Sequence, residues 1–185
     1  SMSIPTAFQK MTHHLLFALI SFTLIPFGIA DSSENEATSV DQRSIHASDD
    51  NREADNWRSY GRGNFEQRHS PLKQINQHTV DQLKLAWCFD TGNTQGLQAT
   101  PLVIDGVMYI TAAWSVLHAL DAKTGEELWR FDPEVPREES YRYCCGVVNR
   151  GAAAWQDKLF IGTLDGRLIA IDRQSGQSIL SLIHI

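Results

Sequence analysis

The chain is 185 residues long, 42% hydrophobic and 21% charged, the composition of a globular protein and not of a disordered, collagen-like or polytopic membrane one. Its net charge of −6 is uneven: residues 31–55 carry eight acids and two bases, while residues 56–185 are close to neutral. No basic face is available to grip nucleic acid, and three cysteines, Cys88, Cys144 and Cys145, are too few for a disulfide-built mini-protein.

In chain order, the first element is an uncharged apolar run over 15–29, LLFALISFTLIPFGI. Lys10, His13 and His14 precede it, and Gly28-Ile29-Ala30 places small residues at the −3 and −1 positions of a cleavage site. The run is short of the roughly 20 residues a membrane span needs. Residues 1–30 are therefore predicted to be a signal peptide that leaves no stable membrane span after cleavage. Export to the periplasm would allow a disulfide to persist. Residues 31–55, without an aromatic side chain, are predicted to be a disordered acidic linker, because they offer too little apolar surface to offset their ordering entropy. Order is expected to begin near Trp57.

From residue 56 the chain reads as all-β. Short β-branched and aromatic runs are punctuated by Asp105-Gly106 and Lys123-Thr124-Gly125, where glycine supplies the positive φ of a tight turn. The plan then repeats with an offset of 51 residues: Ala119-Leu120-Asp121 falls on Ala170-Ile171-Asp172, Thr124-Gly125 on Ser175-Gly176, and Leu117 on Leu168. Several short strands per unit at this period signal a β-propeller or array, whose units bury their faces only against neighbours. Trp129 ends the first unit and can pack between blades; Leu180 takes its place in the second. Barely two units are present, and the chain is expected to be cut off inside the second.

The chemistry is expected around Cys144-Cys145. Adjacent Cα atoms lie about 3.8 Å apart, closer than ordinary disulfides prefer. A bridge there would be a strained ring that closes no loop and staples nothing. Its uses would be redox chemistry or a flat, rigid surface for a planar ligand; two reduced thiols in a β core is the other reading. Asn149-Arg150-Gly151 follows, with a planar fork of donors suited to carboxylates in Arg150 and room for close backbone approach at Gly151. Thr163 adds a hydroxyl in the next strand. Cys88, in the strand-like run LAWCF, is expected to be a buried, inert thiol.

These stretches together, NWRSYGRGNFEQRHSPLKQ, ATPLVIDGVMYITAAWSVLHALDAKTGEELWRFDP and YCCGVVNRGAAAW with IGTLDGRLIAID, resemble the N-terminal part of the pyrroloquinoline-quinone (PQQ)-dependent alcohol dehydrogenases, the quinoprotein and quinohaemoprotein enzymes. The resemblance implies an eight-bladed propeller with the quinone on its axis, of which residues 56–185 would supply the first one to two blades. It implies a Cys144–Cys145 disulfide stacked on the quinone, and cofactor hydrogen bonds from Arg150 and Thr163. Gln98 stands where the family has a cofactor-contacting Glu, and Gly146 where it tends to have Asp. Gln98 keeps an acceptor but loses the charge.

The resemblance further implies oxidation of a small alcohol to an aldehyde, a Ca²⁺ or lanthanide ion beside the quinone, and a cytochrome c-type electron acceptor. The catalytic base and the metal ligands of such enzymes have no counterpart in this chain, so no residue here is assigned as base. A non-catalytic propeller scaffold, or a pseudogene product, is the alternative; it explains the repeat but gives no reason for adjacent cysteines beside Asn149-Arg150-Gly151.

Overall fold

The computed structural model describes residues 40–49 and 52–183; the apolar run and cleavage site expected over 1–30 lie outside them. Among the described residues no helix is long and apolar enough to cross a membrane. Eight strands form two antiparallel meanders: β1 Leu102–Ile104, β2 Val107–Thr111, β3 Leu117–Asp121 and β4 Glu127–Phe131, then β5 Ala153–Trp155, β6 Lys158–Gly162, β7 Arg167–Asp172 and β8 Ser178–Ile183. Each four-stranded sheet is one propeller blade.

Local chemistry sets each hairpin. Asp105 and Gly106, at φ 53° and 80°, take the left-handed conformations that a two-residue β1–β2 turn demands. In the β3–β4 turn the Asp121 carboxylate accepts from the Lys123 and Thr124 amides and the Thr124 hydroxyl at 2.7–3.0 Å. Asp172 repeats this in the β7–β8 turn with Gln174 and Ser175 at 2.7–3.1 Å. Even the strand irregularity recurs, between Ala119 and Leu120 and between Ala170 and Ile171. The expected 51-residue repeat is therefore a repeat of hydrogen bonds as well as of letters.

The blades stack face to opposite face. Leu117, Ala119 and Tyr109 on one side of the first sheet pack with Leu159, Ile161, Ile169 and Ile171 on the facing side of the second. Leu117 is fully buried; Leu168, its repeat mate, is 37% exposed on the far side of the second sheet, beside Leu180 and Leu182. Trp129 reaches from β4 to the next blade's turn, where its indole N–H donates to the Arg173 carbonyl at 3.2 Å. A Cβ added to Gly176 would stand 2.6 Å from that indole, and Gly176 also has φ +71°. Trp87 does the same to Gly125 and the Ala122 carbonyl. Burying a tryptophan edge on a turn thus requires glycine twice over, for φ and for space.

Two expectations are corrected. The segment predicted as linker up to residue 55 is ordered over much of its length: Gln42–Asp49 is a helix, α1, and Val40, fully buried, pairs with Gln156 of the second blade. Asp41 caps α1 reciprocally, its carboxylate accepting from the Ser44 amide at 2.7 Å while its own amide donates to the Ser44 hydroxyl at 2.9 Å, the arrangement of a capping box. Residues 31–39, 50 and 51 lie outside the described residues. The run around Cys88, in turn, is extended but belongs to no strand, and Cys88 is exposed. Trp87 and Phe89 point at the first blade instead, Phe89 meeting His118 edge-on at 5.2 Å.

A buried ionic group ties these segments together. Arg58, 2% exposed, meets Glu53 at 2.7 Å and Asp105 at 3.6 Å, and Asp105 also meets Arg173 at 3.4 Å. One carboxylate on the β1–β2 turn therefore joins residue 58 to the second blade, and removing it would take a carboxylate from buried Arg173 and leave Arg58 to Glu53.

Gly176→Ala, which places a methyl group against the Trp129 ring at positive φ, is expected to destabilise the folded protein by about 1–3 kcal/mol, read as a shifted denaturant midpoint at unchanged slope. Backbone hydrogen bonds from Thr124 and Ser175 hold the Asp121 and Asp172 carboxyls below the usual carboxylate range. A depressed folded-state pKa contributes stability that is full above the unfolded value and lost as pH falls through the folded one. The melting temperature is therefore expected to drop below about pH 4, with a shallower acid limb in Asp121→Asn.

Candidate functional site

The site residues gather where the first blade hands over to the second. β2 does not run straight into β3. Ala112 closes on Val116, and between them Trp114 and Ser115 sit at φ 62° and 61°, a conformation that costs bulky residues energy and needs support. Support comes from the cysteine loop: the Trp114 amide donates to the Val147 carbonyl at 2.8 Å, and the Ser115 hydroxyl accepts from Asn149 Nδ2 at 3.1 Å. Arg137 lies over the Trp114 ring at 4.5 Å, and Tyr143 meets the same ring edge-on.

The cysteine loop follows a 3₁₀ turn over Arg137–Arg142. Cys145 and Gly146 have φ 68° and 84°, which brings adjacent side chains to the same side. The Sγ atoms of Cys144 and Cys145 lie 2.8 Å apart, unbridged, and both residues are exposed. The pair therefore does not sit as thiols in a β core. The neighbouring Cys145 thiol, by hydrogen bond and then by charge, raises the Cys144 pKa above the ordinary thiol range; the Arg150 guanidinium pulls the other way. Arg150 is thus close enough to Cys144 to be felt electrostatically.

The Arg150 guanidinium makes no hydrogen bond or ion pair with the side chains and backbone of the described residues, and the residue is exposed. It lines a cleft of about 410 Å³ with Tyr60, Thr100, Gly151 and Phe160. Its carbonyl accepts from the Thr100 amide at 3.3 Å, which brings the segment carrying Gln98 alongside. Gln98 itself is exposed. Gly151, at φ +135°, has a backbone that strains any other residue, and a Cβ there would crowd the Thr100 carbonyl at 3.3 Å.

Thr163 stands apart from this group in its hydrogen bonding. Its hydroxyl donates to Asp165 or to the Arg167 carbonyl and accepts from the Arg167 amide, so its one proton is already engaged. Burial raises the Asp165 pKa, but hydrogen bonds from Arg167 and Thr163 overcome it and hold the carboxyl below the usual range. In this arrangement Thr163 closes the β6–β7 turn, and it has no proton for a ligand carboxylate. Of the residues singled out in the sequence, Cys144, Cys145 and Arg150 lie along one loop, and Gln98 lies two residues from Thr100, which holds the Arg150 carbonyl; the loop's supports Trp114, Ser115 and Tyr143 were not foreseen, their only signal being aromatics and a serine inside strand-to-strand connections. Among the described residues no group of three His, Cys, Asp or Glu side chains could hold a metal ion.

The chain is similar to known proteins in sequence and in fold. Residues 57–181 match the family described as PQQ glucose/ethanol/alcohol dehydrogenase, β-propeller domain. The chain is 50% identical over 123 residues to 1-butanol dehydrogenase (cytochrome c) of Thauera butanivorans, covering 66% of this chain and 18% of that one. The quinohemoprotein alcohol dehydrogenase ADHIIG from Pseudomonas putida HK5 superposes with a TM-score of 0.76 at 47% identity, over 80% of this chain and 21% of that one. A europium-containing methanol dehydrogenase superposes with a TM-score of 0.70 at 33% identity, over 77% of this chain and 25% of that one. The chain therefore spans about a fifth to a quarter of the proteins it matches.

In reduced protein, removing the Arg150 charge should push the Cys144 pKa up further. Arg150→Ala is expected to slow iodoacetamide alkylation of Cys144 near pH 8 and to move the alkylation–pH curve to higher pH. Sheets, repeat, cysteine loop and matched residues agree: the chain belongs to the PQQ-dependent alcohol dehydrogenase β-propeller family.

Proposed function

We propose that the chain is the N-terminal part of an exported quinoprotein alcohol dehydrogenase and supplies one wall of its PQQ site. The observation that carries this is Arg150: an exposed guanidinium without a partner among the described residues, beside an open cleft and within electrostatic reach of a paired-thiol surface. PQQ is a planar tricarboxylate, and a planar fork of donors meets a carboxylate in bidentate fashion. The Gly151 backbone has no side chain to hold a ring away. The residues fit the cofactor.

When bound, PQQ would supply a quinone that accepts hydride from the alcohol carbon as the alcohol becomes an aldehyde. This chain's part is to bind and orient. Cys144 and Cys145, joined as a disulfide in an oxidising compartment, would offer a rigid face free of ionisable thiols. Arg150 would anchor a carboxylate, with Gln98 alongside as a neutral donor and acceptor. The Ca²⁺ or lanthanide ligands and the base would come from the part of the protein beyond this fifth, as would the surface that meets a c-type cytochrome. A scaffold would have no use for an unpaired arginine beside two sulfurs.

Two measurements test this on the full-length protein. Non-reduced peptide mapping is expected to show Cys144 linked to Cys145, with Cys88 free; a Cys88 link to either neighbour would refute the pairing. Titration with PQQ is expected to show Arg150→Ala weakened by about 1.5–3 kcal/mol, the scale of a charge-assisted hydrogen bond, and Arg150→Lys only partly restored. Unchanged affinity in Arg150→Ala removes the anchor and the reading with it.

A further inference from the structure

We propose that Asn149 is a positioning residue of this site: it fixes the backbone that aims Arg150 at the cofactor, an inference that rests on the cofactor reading above. Three hydrogen bonds use both N–H donors and the oxygen of its amide. Nδ2 donates to the Ser115 hydroxyl at 3.1 Å and to the Gly162 carbonyl at 2.8 Å, while Oδ1 accepts from the Gly151 amide at 3.0 Å. The orientation of the amide is settled by chemistry. A carbonyl only accepts and a backbone N–H only donates, so a flipped side chain would face both wrongly.

The three partners belong to three different places. Ser115 is fully buried in the strained β2–β3 connection of the first blade. Gly162 ends β6 of the second blade. Gly151 follows Arg150 directly. Asn149 therefore pins the peptide on the C-terminal side of Arg150 to both blades at once. Thr100 holds the Arg150 carbonyl from outside. The Arg150 side chain is exposed and makes no hydrogen bond or ion pair among the described residues, so its aim depends on where its backbone is held. The same contact to Ser115 lies just after Val147, which grips Trp114. One amide thus keeps the cysteine loop and Arg150 in register.

The chemistry demands asparagine and not its isosteric acid. Asp keeps the acceptor for the Gly151 amide but loses both donors and sets a charge against the Gly162 carbonyl. The test uses the full-length protein with Asn149→Asp, Ser115→Ala, Arg150→Ala and the Asn149→Asp/Arg150→Ala double variant. PQQ affinity is read by quenching of tryptophan fluorescence, and the melting temperature of each cofactor-free protein is read alongside.

Asn149→Asp is expected to weaken PQQ binding about tenfold, and Ser115→Ala a few-fold. Arg150→Ala is expected to cost less in the Asn149→Asp background than alone, because a misaimed arginine has less to lose. That non-additivity is what a merely structural asparagine would not produce. Parent-like affinity in both Asn149→Asp and Ser115→Ala, or costs that simply add, overturns the inference while leaving the cofactor site intact. If Asn149→Asp does not fold, the cycle is run with Ser115→Ala and Arg150→Ala: costs that fall short of their sum support the inference, and costs that add overturn it. A parent that does not bind PQQ, or an Arg150→Ala protein that binds it unchanged, overturns the cofactor reading and this inference together.

Discussion

A tryptophan ring laid on a glycine turn sets the spacing of this structure. Trp129 leaves the first blade and lies on Gly176 of the second, with its N–H on the Arg173 carbonyl. The same carbonyl accepts from the buried Tyr109 hydroxyl at 3.3 Å, and the two rings lie 5.8 Å apart. An aromatic body buried in the seam and a polar edge satisfied at its rim is the arrangement that suits tryptophan and tyrosine. It fixes both distance and register between sheets. The aliphatic side chains between them then fill a gap of set width, and Asp105 can reach Arg173 across it.

Everything at the site depends on that register. Asn149 spans a turn of one blade and a strand of the other, and such a bridge forms only where the two stand at one relative height. Five positive-φ backbone positions, Trp114, Ser115, Cys145, Gly146 and Gly151, lie in the segments it joins. Strain of the kind the first three carry persists only where surrounding structure over-determines it. Here the blades supply the rigidity and the connections between them hold the strain, so the chemistry sits on loops that a packed scaffold keeps in place.

The repeat was legible because it is written in turn chemistry. Asp121 and Asp172 cap their turns through neighbours three residues away, and Gly125 and Gly176 take positive φ beside them; such signals are local and survive without knowledge of the fold. What stayed hidden was non-local. The run around Cys88 has strand propensity, but a strand needs a partner, and none stands among the described residues. Helix α1 was masked by its hydrophilic composition, although Asp41 and Ser44 carried a short capping signal; burial of Val40 against the second blade decides the matter. Thr163 was expected to offer its hydroxyl to a cofactor; its partners here, Asp165 and Arg167, look in the sequence like ordinary turn residues. Cys144, Cys145 and Arg150 were legible as a group because a rare pair of cysteines near an arginine has few structural uses.

The electrostatics of the site make sense of its exposure. A guanidinium buried without a counter-charge is costly; Arg58 and Arg173 are buried, and both meet carboxylates. Arg150 is chemically alike but exposed and unpaired, which costs little while water solvates it. The molecule therefore holds an arginine in reserve at the mouth of a cleft, while Asp165 is engaged by Arg167 and Thr163, and Asp132 by Arg130 and Arg137. Next to it, the raised Cys144 pKa keeps that sulfur neutral at ordinary pH when reduced, and a bridge would keep both sulfurs neutral at every pH. A neutral, polarisable surface beside one uncompensated positive charge favours a flat anion over a cation or an uncharged sugar, and the bare backbone at Gly151 lets its ring edge come down to the chain.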